Sequence, residues 1–352
     1  MSLGGLGFCA GPPWGGNGMR FLRSYLLPRL IQYVLVVFSG ITAVFLIPRL
    51  TGQDPVLEMI AQIQAQGSAL DPTAVRSLTE TLKELYGLKG TMLEQYLTMW
   101  KRVLHFDFGP SFFQFPTPVS DLLRIYLPWT LGLFLTSTVI AWLLGNIVGA
   151  IAGYFSHRSW SKALDTAIMF VRPIPHYIFG VLLLILFAYA WRIFPPGGLV
   201  FGRRVVFNFA LVVAILKHSF LPALTLVILG GAAWFQQMKL LVQNVKREDF
   251  VQYAQSGGIR EKTLIFRYIL PNAMLPQVTQ LALLLGQVFS GVLMVEMVFS
   301  YPGMGLLLYR AVTRGDYNLV MGITVLSILT ITTAVLLLDL LYPLLDPRIR
   351  HR

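Results

Sequence analysis

The chain has 352 residues, of which 55% are hydrophobic and only 12% charged, where a soluble domain carries about 25% charged residues. Its apolar residues fall in long unbroken blocks and not in amphipathic stripes, which excludes a pair of ordinary soluble domains. The net charge of +12 collects at the ends of those blocks, where membrane proteins place it, so it does not point to nucleic acid.

Residues 1–19 are rich in glycine and include Pro12, Pro13 and Trp14. They read as a disordered N-terminal extension, without the basic start or apolar run of a signal peptide. Met19, followed by Arg20 and Arg23, looks like an alternative beginning. The single cysteine, Cys9, allows neither an internal disulfide nor a cysteine metal cluster. The first membrane span is expected at 30–50, within a segment 20–50 that opens on basic residues. Residues 51–125 mix proline, glycine and both signs of charge, so they are expected in water as an extracytoplasmic loop region. Within them Asp71-Pro72 caps an amphipathic helix over 73–86, and 93–103 reads as a second. Apolar blocks follow at 127–155, 163–191, 219–241, 274–299 and 318–341. Each is long enough to cross about 30 Å of hydrocarbon as a helix, the form that satisfies its own backbone there. Pro173 and Pro175 should kink the third span early. Pro195-Pro196-Gly197-Gly198 and Tyr301-Pro302-Gly303 mark turns. The expected fold is all-α and polytopic, with about six spans, a five-helix core at 126–345 and a cytoplasmic tail at 346–352.

Orientation follows from the basic residues of the short loops. Fourteen Lys and Arg lie on the side of the termini and six in the short loops of the other side. Both termini and the loop 242–273 are therefore expected in the cytoplasm.

No G-x-x-x-x-G-K-[ST] phosphate loop and no H-E-x-x-H occur, and the five histidines are scattered. No catalytic or metal-binding residue is assigned. The informative segment is 248–273. Its first part places Phe250, Tyr253 and Ala254 on one helical face, Gly257-Gly258 breaks that helix, and a second helix sets Leu264, Ile265 and Phe266 beside Arg260, Lys262 and Arg267. On physical grounds two readings stay open: the pair lies in the headgroup layer, or it docks into a groove of a soluble partner.

The loop resembles the coupling loop of ABC-importer permeases, with its pattern Glu-Ala-Ala-x-x-x-Gly and, further on, Leu-Pro. Ala254 and Gly258 keep the spacing and Leu270-Pro271 the ending, while Gln252 and Tyr253 depart from the first two positions. Phe106-Asp107-Phe108-Gly109-Pro110-Ser111, Leu221-Pro222-Ala223-Leu224-Thr225-Leu226, the stretch Glu296 to Gly305 and the tail Leu345 to Arg350 resemble the dipeptide, oligopeptide and nickel branch of these permeases, in the same order. The resemblance implies a docking site for an ATPase formed by Gln252, Tyr253, Ala254, Gly257, Gly258, Ile259, Leu264, Phe266, Leu270 and Pro271. It also implies an inner-membrane pore subunit that works with a second related permease, two ATPase subunits and an extracytoplasmic solute-binding protein. ATP and magnesium would sit on the partner ATPases, with no cofactor on this chain.

Among the charges within expected spans, Arg172 and Glu296 are the candidates for a translocation pathway. Arg172 either snorkels or pairs with Asp165, two helical turns back, or else lines the pore. Glu296 either faces the pathway or reaches interfacial water. The expected function is ATP-driven import of peptides or similar small solutes. The rivals are an importer of oligosaccharides, a passive channel or secondary transporter, and an intramembrane enzyme built on Arg172 and Glu296.

Overall fold

The structure is a computed structural model that describes residues 26–50, 56, 60, 71–198, 208–285 and 292–345. The expectations for 1–19 and for the tail 346–352 lie outside the described residues. Among those described, regular structure is helical apart from an isolated antiparallel bridge between Pro110 and Pro118.

Helix α1 is Leu27–Leu50. Two amphipathic helices follow, α2 at Pro72–Leu85 and α3 at Met92–Leu104. Proline in the first turn of α2 costs nothing, because its missing N–H would have no helical partner there. A capping box starts α3: the Thr91 hydroxyl accepts from the Glu94 amide, and the Glu94 carboxylate accepts from the Thr91 amide at 2.8 Å. Helix α4 runs over Val119–Tyr154 for 36 residues and begins earlier than expected. Its first turns look polar in sequence, but Val119, Leu122 and Leu123 pack into a core with Ile41, Phe45 and Phe108.

The third expected span is broken. Helices α5, Ser159–Val171, and α6, His176–Leu183 with a π-helical turn at Leu184–Ala190, meet at 101°. The expected kink is this much sharper bend, because Pro173 and Pro175 each remove an amide donor within one turn. Helix α7, Phe209–Lys246, has 38 residues and begins before the expected boundary at 219. Asn208 caps it by accepting from the Leu211 amide at 2.8 Å. His218 folds onto the Ala214 carbonyl at 2.7 Å, so the helix continues through the polar pair Lys217-His218.

Helices α8, Asp249–Ser256, and α9, Glu261–Thr263, form the loop that follows. A π turn at Leu264–Ile269 carries α9 into α10, Leu270–Leu285. Then come α11, Leu293–Val298, α12, Met304–Thr313, and α13, Tyr317–Leu345. Four of these helices, α1, α4, α7 and α13, are long and apolar enough to cross a membrane, and a fifth if α5 and α6 make one span. The expected count of six is not reached among the described residues. The fifth expected block, 274–299, overlaps α10, which at about 1.5 Å per residue is roughly 24 Å long, and takes in α11, while 286–291 lie outside the described residues.

Helices α4 and α7 form the spine. Gly145, Gly149 and Gly153 lie one above another on α4 and let the α7 backbone approach. A Cβ at these positions would come 2.7, 2.6 and 2.7 Å from the carbonyl oxygens of Gly231, Phe235 and Lys239. Helix α13 runs antiparallel to α1, joined by an Arg29–Asp339 ion pair at 2.9 Å and a Tyr33–Thr333 hydrogen bond at 3.2 Å. At the other end Asp316 is fully buried. It accepts from the Ser111 hydroxyl, from the Phe113 amide at 2.9 Å and from the Leu319 amide at 3.0 Å. One carboxylate thus caps α13 and clamps the segment before α4. Gly109 in that segment has φ +76°, and Asn318 donates to the adjacent Pro110 carbonyl at 3.1 Å.

Candidate functional site

The loop 247–273 folds as its residue types dictate. Asp249 in the first turn of α8 favours the positive end of the helix dipole. Gly258 takes φ +74°, the left-handed conformation that a side chain resists. Its amide donates to the Gln255 carbonyl at 3.1 Å, and the Ile259 amide donates to the Ala254 carbonyl at 3.3 Å. This pair of reversed bonds is the Schellman stop, and it explains the spacing from Ala254 to Gly258. The π turn Leu264–Ile269 lies just before Pro271, where a regular helix would drive the proline ring into the Arg267 carbonyl.

The loop is fastened to the spine by a buried apolar cluster. Val251 of α8, Leu264 and Ile269 of the π turn and Ala273 of α10 pack on Tyr154 of α4 and on Met238 and Val242 of α7. Ala254 and Leu270 pack on its margin. Lys246 donates to the Tyr154 carbonyl at 3.1 Å and sits over the Tyr154 ring. The ends of α4 and α7, the short helix α8 and the start of α10 therefore share one packed core.

The outward surface is aromatic. Tyr253 is 81% exposed, Phe266 67% and Phe250 44%. Phe250 and Tyr253 share a face of α8, while Gln252, Gln255 and Ser256 turn the other way and line a polar cleft of about 580 Å³ with Ser156, His157, Gln243, Lys246 and Arg247. Gln252 is held there by its bond to the Arg247 carbonyl at 3.0 Å. The ten residues singled out in the sequence thus divide three ways. Leu264, Ala254, Ile259 and Leu270 lie wholly or partly inside, Gly257, Gly258 and Pro271 shape the chain, and Tyr253, Phe266 and Gln252 face outward. Sequence reading missed Val251, Tyr154, Met238, Val242 and Lys246, which anchor the loop. The signal for Val251 was present, since it is the apolar residue of α8 off the Phe250–Tyr253 face.

Arg172 and Glu296 are held apart. Arg172 lies in the bend between α5 and α6, exposed, and its guanidinium donates to Gln236 of α7. The expected partner Asp165 instead meets Lys239, one turn further along α7, at 3.0 Å. Arg172 keeps helical backbone angles, its amide donating to the Ile168 carbonyl at 2.9 Å, so what separates the two side chains is the partner each finds on α7 and not the end of α5. Glu296 on α11 is fully buried and accepts from the Thr130 hydroxyl at 2.6 Å and the Gly305 amide at 2.6 Å. Thr130 in turn accepts from the Met304 amide at 2.7 Å. The pair therefore caps the start of α12 and ties it to α4. Between Thr130 and Gly149, which is level with Phe235, α4 rises roughly 28 Å, so the two charges sit near opposite ends of the spine.

Glu296→Ala would leave these buried donors without an acceptor, at about 1–3 kcal/mol for each. The variant is expected to melt lower than the parent and than Glu296→Gln, which retains a carbonyl oxygen. Equal melting temperatures for the three purified proteins would contradict this role. Among the described residues no three His, Cys, Asp or Glu side chains come together as a metal site.

Residues 145–351 match the family described as the binding-protein-dependent transport system inner membrane component, a stretch that contains the loop and its anchors. The chain is 29% identical over 334 residues to the oligopeptide transport system permease protein AppB of Bacillus subtilis, covering 94% of this chain and 100% of that one. It is 28% identical to the dipeptide transport system permease protein DppB of the same organism, over 78% of this chain and 84% of the relative. It is 29% identical to the probable D,D-dipeptide transport system permease protein DdpB of Escherichia coli, over 93% and 97% of the two chains.

Proposed function

The chain belongs to the binding-protein-dependent transport system inner membrane components, and from that premise we propose that it forms one half of the pore of an ATP-driven peptide importer. It pairs with a second, homologous permease. Two ATPase subunits dock on the Phe250–Tyr253 side of α8, and a solute-binding protein docks on the side of residues 71–118. Both termini lie in the cytoplasm, as the basic short loops require. ATP and magnesium are bound by the partners. The peptide class is supported by the names of the relatives, which concern oligopeptides and dipeptides; none of these favours the oligosaccharide alternative.

The observation that carries the reading is the buried cluster joining Val251 to Tyr154, Met238 and Val242. A displacement of α8 cannot be absorbed locally, because Val251 is fully buried in that cluster and packed interiors do not deform continuously. It passes to α4, α7 and α10 and shifts the balance between two arrangements of the pore. ATP drives this shift only by binding one arrangement more tightly than the other. The test is uptake into proteoliposomes that hold both permeases, the ATPases and the binding protein. A labelled dipeptide is expected to accumulate above equilibrium when ATP is supplied on the ATPase side. Equilibration without ATP, or accumulation of an oligosaccharide and not a peptide, would contradict the proposal.

A further inference from the structure

Helix α3 carries an apolar stripe that the described residues leave largely uncovered. Leu93, Leu97, Trp100 and Leu104 recur at intervals of four, three and four residues, so they stack along one line. Leu93 is 67% exposed, Leu97 59% and Leu104 73%. The neighbouring face, with Tyr96, Met99 and Val103, is packed into the core. Glu94, Thr98 and Arg102 occupy the remaining side.

The position of α3 shows what the stripe meets. Arg49 of α1 donates to the Gln95 amide oxygen at 3.1 Å. Thr42 and Tyr96 share a hydrogen bond at 2.8 Å. Phe38 stacks on Trp100 with ring centroids 5.6 Å apart. As α3 advances from Gln95 to Trp100, its partners on α1 retreat from Arg49 to Phe38, so α3 descends alongside α1. The apolar span of α1 is Leu27–Ile47. Phe38 lies about 16 Å from its start and about 14 Å from its end at 1.5 Å per residue, near mid-bilayer. Val34, Leu35, Phe38 and Ile47 of α1 are themselves exposed and face hydrocarbon in a spanning helix. The leucine stripe continues that surface.

We propose that α3 lies in the membrane, with Leu93, Leu97 and Leu104 against the acyl chains of the leaflet next to residues 71–118. The segment mixes charge and apolar residues, and composition therefore assigns it to water, but its contacts on α1 put it at hydrocarbon depth. Lipid thus anchors the helix that precedes the clamp of Ser111 and Phe113 on Asp316, and the outer surface is fixed to the bilayer independently of any partner. The inference rests on α1 being a span and is independent of the solute carried.

Spin labels separate the possibilities. Single cysteines at Leu97, Leu104 and Thr98, and at Leu35 and Ile47 of α1, are made in a Cys9→Ser background. The whole importer, reconstituted in liposomes, is probed with oxygen and with a water-soluble nickel chelate. Labels at Leu97 and Leu104 are expected to collide several-fold more often with oxygen than with the chelate, as at Leu35, while Thr98 shows a smaller ratio. Chelate access at Leu97 and Leu104 equal to that at Thr98 would place α3 in water and overturn the proposal. Exclusion of both probes would also overturn it, by showing that the second permease or the binding protein covers the stripe. Failure of Leu35 and Ile47 to favour oxygen would refute α1 as a span, the premise and not only the inference.

Discussion

Gly149→Leu is expected to prevent recovery of folded protein, and Gly149→Ala to cost about 1–3 kcal/mol of stability. A Cβ at Gly149 would lie 2.6 Å from the Phe235 carbonyl oxygen, 3.0 Å from the Met238 Cβ and 3.1 Å from the Phe235 Cα. None of these is the free end of a flexible side chain, so α7 itself would have to move. In a bilayer the cost is acute, because helices there associate through close packing and not through exclusion from water. Gly132 on the same helix supplies the control. A methyl group added there meets nothing within 4 Å, and Gly132→Ala should be neutral or gain up to about 1 kcal/mol, since alanine suits a helix better than glycine. Thermal unfolding of both purified variants, followed by size-exclusion fluorescence, measures the difference. Equal melting temperatures for Gly149→Ala and Gly132→Ala would show that the α4–α7 seam is not the tight contact described.

The parts of the fold legible in the sequence are those set by local chemistry. Long apolar blocks gave α1, α4, α7 and α13, and Asp71-Pro72 and Gly257-Gly258 marked the start of α2 and the end of α8. The glycine ladder 145–149–153 was equally visible, but within an apolar block it reads as composition until the i, i+4, i+8 spacing is taken as a place where two backbones meet. Features made by distant segments were not legible. Asp165 finds Lys239 on another helix, and no spacing along α5 reports that. Ser111 and Asp316 are brought together by the fold alone. Glu296 reads as a charge inside a span. Its role follows only once the Tyr301-Pro302-Gly303 turn folds the start of α12 back onto it. The depth of α3 was hidden for the same reason, because composition reports polarity and not position beside α1.

The second large effect is expected at α8. Phe250 and Tyr253 form its exposed face, and surface side chains of this kind contribute within about 0.5 kcal/mol to stability. Aromatic residues at the centre of a protein interface commonly carry 2 kcal/mol or more, roughly a thirtyfold change in affinity. The double variant Phe250→Ala/Tyr253→Ala should therefore melt like the parent while its ATPases dissociate and transport fails.

Peptide uptake and ATPase retention, measured together on proteoliposomes carrying that double variant, put the lever at α8 to the proof. The expected result is a fall of about tenfold or more in ATP-driven uptake, together with loss of the bound ATPase and an unchanged melting temperature. Uptake at the parent rate with the ATPase still bound would contradict the account, because the motor would then grip the chain somewhere else.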